Sequence, residues 1–426
     1  MALDRKFGTD MIWNLASLAF LALAGLALNL IIARVYGAKY LGVFNIVLAL
    51  YVFFSQFAVF GLHMSVLRYV SEHMANNKVR EAEIVSEGLV AVTLVALAVT
   101  FAGWLLSPLV EAAYKSAHVV TAWYIILPGL AASALNKYLL AVINGARHMR
   151  AFAIFQSLRY IFIFLILLFM ILTQQPGAYL SAVISGAEFV LLPLLLVYTM
   201  GGGRIVRTWR ISPGWRWAWR HLHFGSRVFL SGTISELNYR VDILMIGAFL
   251  GERQAGIYSI AIFIIEGLAR VTFVVRNNVN PLLTPYVLQG RLEELTRFAR
   301  RVSLYFTLFM AFAGGVLIAL YPWFASLVFP GREFDAAYAP LIVLIIGQVL
   351  AAPYLPFNMI LSQADHPGMH TLYMFGVLCS NVAFNLVAIP KAGITGAAFA
   401  TAMSYLFSVL LLVLMARRLL GVKVWV

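Results

Sequence analysis

Residues 37–46 read GAKYLGVFNI and residues 251–260 read GERQAGIYSI. Gly37 aligns with Gly251, Lys39 with Arg253, Gly42 with Gly256, Phe44 with Tyr258 and Ile46 with Ile260. The offset, 251 minus 37, is 214, close to half of the 426 residues. A weaker echo links GAYLSAVISGAEF at 177–189 with GITGAAFATAMSY at 393–405, at an offset of 216. Two echoes at nearly one offset mark an internal duplication, so the fold question becomes what kind of unit was duplicated.

The sequence around the repeats answers it. The chain is 62% hydrophobic and 11% charged, with a mean hydropathy of +0.90, whereas a soluble domain carries about 25% charged residues. Its apolar residues come in blocks long enough to cross ~30 Å of hydrocarbon at 1.5 Å per residue. Twelve spans are predicted, over 11–33, 42–64, 84–106, 119–143, 151–173, 179–200, 224–249, 256–280, 302–324, 340–362, 370–389 and 393–416. The "ALA" at 22–24 imitates a signal-peptidase site, but the apolar run continues to Ala33, so 11–33 reads as an uncleaved first span. The fold class is therefore an all-α polytopic membrane protein.

Six spans fall in each half. Six is even, so both halves enter the membrane in the same direction, which implies a parallel repeat about an axis along the membrane normal. That is the pattern of an alternating-access transporter with its substrate path between two lobes. The expected division is a six-helix lobe over 1–200, a basic Trp-rich interfacial linker over 201–223 and a second six-helix lobe over 224–426. The linker carries Trp209, Trp215, Trp217 and Trp219 among five arginines, a composition suited to the membrane–water boundary.

Orientation follows from Lys and Arg in the short connections. Of the 31 such residues, Arg34, Lys39, Lys115, Arg253, Arg332 and Lys391 fall on one side and Lys137, Arg159, Arg240 and Arg270 fall within spans. The remaining 21 lie on the other side, which places both termini in the cytoplasm and accounts for most of the +14 net charge as anchoring, not nucleic-acid binding. The single cysteine, Cys379, allows no intramolecular disulfide and reads as a buried thiol. The eight histidines sit mostly at span ends and read as interfacial. No metal-ligand cluster, nucleotide-binding glycine loop or nucleophile–base set appears, so no cofactor, metal or catalytic residue is expected.

An ionisable side chain at the centre of a span costs about 2.5–3.5 kcal/mol on insertion scales and is normally paired or faces water. The seventh span carries Glu236, Arg240 and Asp242. Glu236 and Arg240, four apart, share a helix face in the favourable order. Asp242 lies about 200° around from Arg240 at 100° per residue and needs a partner elsewhere; Arg270 on the next span is the expected one. Glu266 and Arg270 form a second Glu-to-Arg pair at the same spacing. Lys137 and Arg159 put positive charge into the first lobe, where only Glu87 and Glu188 could neutralise it. Basic groups in a hydrated cavity suit an anionic ligand, and the acids suit a coupling cation. Prolines, above all Pro353 and Pro356, are expected to bend the tenth span.

Several segments resemble the polysaccharide (oligosaccharide) flippases of the multidrug/oligosaccharidyl-lipid/polysaccharide exporter superfamily. NLIIARVYGAKYLGVFNIVLAL, with Arg34, Gly37 and Gly42, is similar to that family's signature after the first span. LRYVSEHMANNKVREAE resembles its basic connection, and FGSRVFLSGTISELNYRVDILMIGAFLGERQAGIYSIA resembles the opening of its second lobe, with Asp242. NPLLTPYVLQGRLEELTRFARR and NLVAIPKAGITGAAFATAMSY resemble later connections. The resemblance implies an inner-membrane protein that flips an anionic lipid-linked oligosaccharide on polyprenyl pyrophosphate, driven by a proton or sodium gradient. Its partners would be that lipid, the coupling cation, membrane lipids and polysaccharide-assembly proteins. Lys137, Arg159, Arg240, Arg270 and Arg34 would then line the substrate cavity, with Asp242, Glu236, Glu266 and Glu188 in ion coupling.

Two other functions compete with this one. A drug exporter of the same superfamily would want an acid-rich cavity for cationic ligands, but the spans hold four basic residues against four central acids. A membrane glycosyltransferase or polymerase would want a sizeable outer loop, and the longest here, 107–118 and 325–339, are about a dozen residues each. The lipid II flippases of the superfamily typically have fourteen spans, against the twelve predicted here.

Overall fold

The computed structural model describes residues 2–73, 78–201 and 214–421. Among these no strand forms, and the helices are α1 (Ala2–Val59), α2 (Leu62–His73), α3 (Lys78–Leu105), α4 (Ser107–Tyr114), α5 (Ala117–Gly145), α6 (Met149–Leu172), α7 (Ala182–Met200), α8 (Arg216–Leu250), α9 (Glu252–Leu288), α10 (Leu292–Val328), α11 (Tyr338–Ala351), α12 (Ile360–Gln363) and α13 (Pro367–Leu420). In lipid a spanning segment must satisfy its own backbone polar groups, which the helix does.

Two of these helices each contain two crossings. α1 breaks at Gly37 (φ 77°, ψ 177°), and α13 breaks at Ala392 and Gly393 (φ 58°). At 54 residues, α13 would be about 80 Å long if straight, far more than one bilayer needs. Nine helices among the described residues are long and apolar enough to cross a membrane. Counting α1 and α13 twice and adding the charged α8 gives twelve crossings, six in each half of this multi-pass protein. The tenth is interrupted where its prolines require: α11 stops at Ala351, a 3-10 turn occupies Leu355–Phe357, and α12 resumes at Ile360.

The repeat is visible in the backbone. Gly37 and its equivalent Gly251 both adopt positive φ, 77° and 85°, a conformation that costs glycine nothing. Gly42 and its equivalent Gly256 then face each other. A Cβ on Gly42 would stand 1.6 Å from the Glu252 carbonyl oxygen, and one on Gly256 would stand 1.9 Å from that of Ala38. Ala38 and Glu252 are also equivalent at offset 214, so the contact is reciprocal: each copy's glycine receives the other copy's carbonyl.

The chain forms two compact units, the first comprising Met1–Tyr36 and Val43–Glu236, the second Gly37–Gly42 and Leu237–Val426. This differs from the division at 200 and 224: the boundary falls inside α8, and the hexapeptide 37–42 belongs with the second half. Much of the expected linker, 202–213, lies outside the described residues. From Arg216 onward the chain is already helical, and a side-chain contact explains why its first turns belong to unit one. Glu87 accepts hydrogen bonds from the backbone N–H of Trp217 (2.7 Å) and Ala218 (3.4 Å), capping α8 where its first N–H groups have no helical partner. His221 is buried, not interfacial. One ring nitrogen meets Ser65 Oγ at 2.8 Å and the other meets the Ile84 carbonyl at 3.1 Å.

Within unit one, α5 and α7 meet through small residues and hydroxyls. A Cβ on Gly129 would stand 2.7 Å from Ser185 Cα, and Ser181 and Ser185 donate to the carbonyls of Ala122 and Ile125, each at 2.8 Å. Within unit two, Gly347 of α11 makes the same kind of approach to Ala402 of α13. The apolar outer faces belong to α6 and α10, where Phe169, Leu172, Phe312 and Trp323 are exposed as lipid-facing side chains are. Cys379 is also exposed, not buried; on an apolar span it serves as a small lipid-side hydrophobe.

Gly256→Ala is expected to lower the melting temperature of the purified protein, at a cost of about 1–3 kcal/mol from the backbone clash. Gly267→Ala, where a Cβ meets nothing within 4 Å, should be neutral or stabilising by about 0.4–1 kcal/mol. Thermal melts showing the reverse order would refute the close approach.

Candidate functional site

Three carboxylates are buried among the described residues: Glu87 caps α8, while Glu188 of unit one and Asp242 of unit two are each held by side chains of several helices, through different chemistry. In unit one, Glu188 of α7 is 2% exposed. Its Oε1 receives Arg159 Nη2 of α6 at 2.5 Å and the Tyr51 hydroxyl of α1 at 3.1 Å, and its Oε2 receives Asn136 Nδ2 of α5 at 2.8 Å. Four spans meet on this carboxylate. The pair Glu188–Arg159 is electrically neutral, which is how a membrane interior tolerates charge. Arg159 is therefore not an unpaired cation, although its Nε has no partner. Lys137, the residue after Asn136, donates from Nζ to Ser55 Oγ at 3.0 Å.

In unit two, Asp242 of α8 is 4% exposed. Its Oδ2 receives the Thr401 hydroxyl at 2.6 Å and the Tyr258 hydroxyl at 3.3 Å, and its Oδ1 receives Asn385 Nδ2 at 2.9 Å. The expected partner, Arg270, is exposed and takes no part. Its partners among the described residues are all neutral, drawn from α9 and both arms of α13.

Several oxygens crowd around Asp242 and share its donors. Asn385 Nδ2 has two protons, yet it also lies 3.0 Å from the Asn381 carbonyl and against Asn381 Oδ1. The one Thr401 proton has both Asp242 and the Ala397 carbonyl (3.1 Å) within reach. Asn385 Oδ1 is buried with no partner. Carboxylate, amide and hydroxyl oxygens with one negative charge make the donor set that hard cations prefer. No group of three or more His, Cys, Asp or Glu that could hold a metal ion occurs among the described residues, so a transition-metal centre has no ligand set there.

The predicted pairs on α8 and α9 do not form. Among the described residues Glu236 and Arg240 make no ion pair with each other, and Glu266 and Arg270 make none with each other. All four are at least partly exposed, where such a pair is worth at most about 1 kcal/mol. Arg240 keeps a buried Nε without a partner. Arg34 is exposed at the end of the first arm of α1. Sequence reasoning missed Asn381, Asn385, Thr401 and Tyr258 around Asp242, and Tyr51 and Asn136 around Glu188. The signal for the first two was in NVAFN at 381–385, two amides one turn apart in an apolar span.

Removing one charge of the Glu188–Arg159 pair strands the other in a largely apolar setting. Arg159 is 31% exposed, so Glu188→Gln should cost roughly 1–3 kcal/mol, below the 3–5 kcal/mol of a fully buried pair. Glu188→Gln with Arg159→Gln should recover part of that loss. Additive losses in thermal melts of the two single variants and the double variant would refute the coupling.

The family described as "Polysaccharide biosynthesis protein" matches residues 7–271. No curated protein matches the chain. Among solved structures, the lipid II flippase MurJ in an inward closed conformation superposes with a TM-score of 0.75 at 14% identity, covering 96% of this chain and 87% of that one. An inward-facing multidrug resistance MATE family transporter of the MOP superfamily gives 0.77 at 13% identity, covering 94% of each chain. A MOP superfamily transporter from Pyrococcus furiosus, described as having a binding pocket of reverse polarity, gives 0.61 at 12% identity over 98% of this chain and 93% of that one. The shared feature is the fold.

Proposed function

The chain belongs to the polysaccharide biosynthesis protein family and has the MOP-superfamily transporter fold; on that footing we propose that it flips an anionic lipid-linked oligosaccharide across the cell membrane by alternating access. The ligand is a glycan on polyprenyl pyrophosphate, loaded at the cytoplasmic leaflet and delivered to the outer one, with both termini cytoplasmic. The observation that carries the reading is the contrast between Glu188 and Asp242. Glu188 is neutralised by Arg159 and acts as a structural clasp. Asp242 has only neutral partners among the described residues, and an ionised carboxylate in that setting is completed by a cation or a proton.

Asp242 is thus the coupling site, with Asn381, Asn385, Thr401 and Tyr258 supplying the surrounding oxygens. Sodium and the proton both fit such a site. Binding there neutralises the charge and changes the hydrogen bonds that tie α8 to α9 and α13, and a ligand moves a conformational equilibrium by just such differential contacts. Glu236 and Glu266 remain secondary acids. Arg240, Lys137 and Arg270 supply positive charge for the pyrophosphate or acidic sugars, with Arg34 at the end of its span. A multidrug exporter uses the same fold, and cationic drugs would be repelled by those basic groups.

Deleting the gene should make lipid-linked oligosaccharide accumulate on the cytoplasmic leaflet. Unchanged surface glycans with altered drug sensitivity would instead establish export. In the purified protein, the ion that couples should raise the melting temperature of the wild type, by about 2.7 kcal/mol of stabilisation at a hundredfold excess over its dissociation constant. Asp242→Asn should abolish that shift and leave the fold intact. A shift that survives in Asp242→Asn places the coupling ion elsewhere. Arg240→Ala and Lys137→Ala should lower flipping in proteoliposomes at normal expression, and undiminished flipping removes them from the cavity.

A further inference from the structure

A polar stripe runs along one face of α9. Thr272, Arg276, Asn280 and Thr284 succeed one another every four residues, about 6 Å per step along the helix. Thr284 is satisfied by Gln363 at 2.9 Å. The other three each hold a buried polar atom with no hydrogen-bond partner among the described residues: Thr272 Oγ1, Arg276 Nε and Asn280 Oδ1. The first turns of α13 pack on this part of α9, where Tyr373 and Val377 share a core with Val279 and Leu283. From there His370 comes within electrostatic reach of Arg276, and its Nδ1 is again buried and unpartnered.

More than nine in ten buried polar groups in proteins find a partner, and here four without one gather where α9 meets the first turns of α13. Their chemistry agrees. The guanidinium donates, the threonine hydroxyl can donate, and either imidazole nitrogen can carry a proton. The amide of Asn280 can present its NH2 in place of its oxygen, because the two ends are nearly indistinguishable in shape. No carboxylate occurs in the stripe. Donors gathered around one guanidinium suit the oxygens of a phosphate. Arg276 also lies over the Phe273 ring, 5.1 Å from its centroid, which steadies the guanidinium on α9.

We propose that Arg276, with Thr272, Asn280 and His370, forms a phosphate-binding station on α9. Resting on the flippase reading, the station takes the pyrophosphate of the lipid-linked substrate at the cytoplasmic half of the second lobe. A phospholipid headgroup offers the same phosphate chemistry, and the test separates the two sources.

The protein is placed in phosphatidylcholine nanodiscs and titrated with geranyl pyrophosphate, a short soluble prenyl pyrophosphate, and separately with inorganic phosphate. Retention of phosphatidylglycerol is measured in a parallel arm. Arg276→Gln should weaken geranyl pyrophosphate binding by about tenfold or more, the loss of one charge-assisted contact. Arg276→Lys should recover part of it, since the charge stays and the planar fork is lost. Melting temperature and phosphatidylglycerol retention should stay at wild-type values. If Arg276→Gln lowers the melting temperature, His370→Gln carries the test with the same expected weakening. Unchanged geranyl pyrophosphate binding in these variants overturns the station while leaving the flippase reading in place. Loss of phosphatidylglycerol alone assigns the stripe to membrane lipid and overturns the substrate role. Binding of inorganic phosphate as tight as that of geranyl pyrophosphate overturns recognition of the lipid-linked group. A wild type that binds no geranyl pyrophosphate counts against the flippase reading itself.

Discussion

In an apolar interior a charged side chain must be met by complementary groups, and in this protein that requirement ties the helices of each unit together. Glu188 binds α7 to α1, α5 and α6. Asp242 binds α8 to α9 and to both arms of α13. Neither knot could be replaced by apolar packing without losing the directional bonds that fix which helix faces which. Small-residue contacts such as Gly129 against Ser185 bring the backbones close, and the buried carboxylates set the registration.

The two knots are not copies of each other, although the halves are. At offset 214 the position equivalent to Asp242 is Leu28, and that equivalent to Tyr51 is Ile265. Duplication preserved the helical path, the positive-φ glycines and the glycine–carbonyl approach, all backbone properties. The polar residues diverged. One half acquired a closed ion pair, and the other acquired a carboxylate among amides and hydroxyls.

Much of this was legible in the sequence. Span length and positive-charge asymmetry reveal the membrane fold, and the two GxxxxG stretches reveal the repeat. The helical angle shows that Asp242 must look away from Arg240. Its actual partners were not legible, because Asn385 and Thr401 lie 143 and 159 residues away and carry no charge to draw attention. A buried carboxylate can be held by neutral donors as well as by an arginine. The Glu236–Arg240 pairing failed for the converse reason: helix spacing permits a pair, but partial exposure removes the need for one. The helix that carries the seventh span begins at Arg216, ahead of the span itself, where Glu87, far back in the sequence, supplies its cap.

That cap bears on how the protein is made. The first unit includes residues up to Glu236, and Glu87 finds its partners only once Trp217 and Ala218 have been synthesised. The first lobe is therefore incomplete when its sixth span leaves the translocon. The second unit in turn incorporates Gly37–Gly42, a segment translated long before the rest of it. Each half reserves a place for a piece of the other. A gene cut at the apparent midpoint would give two polypeptides that each lack an integral part.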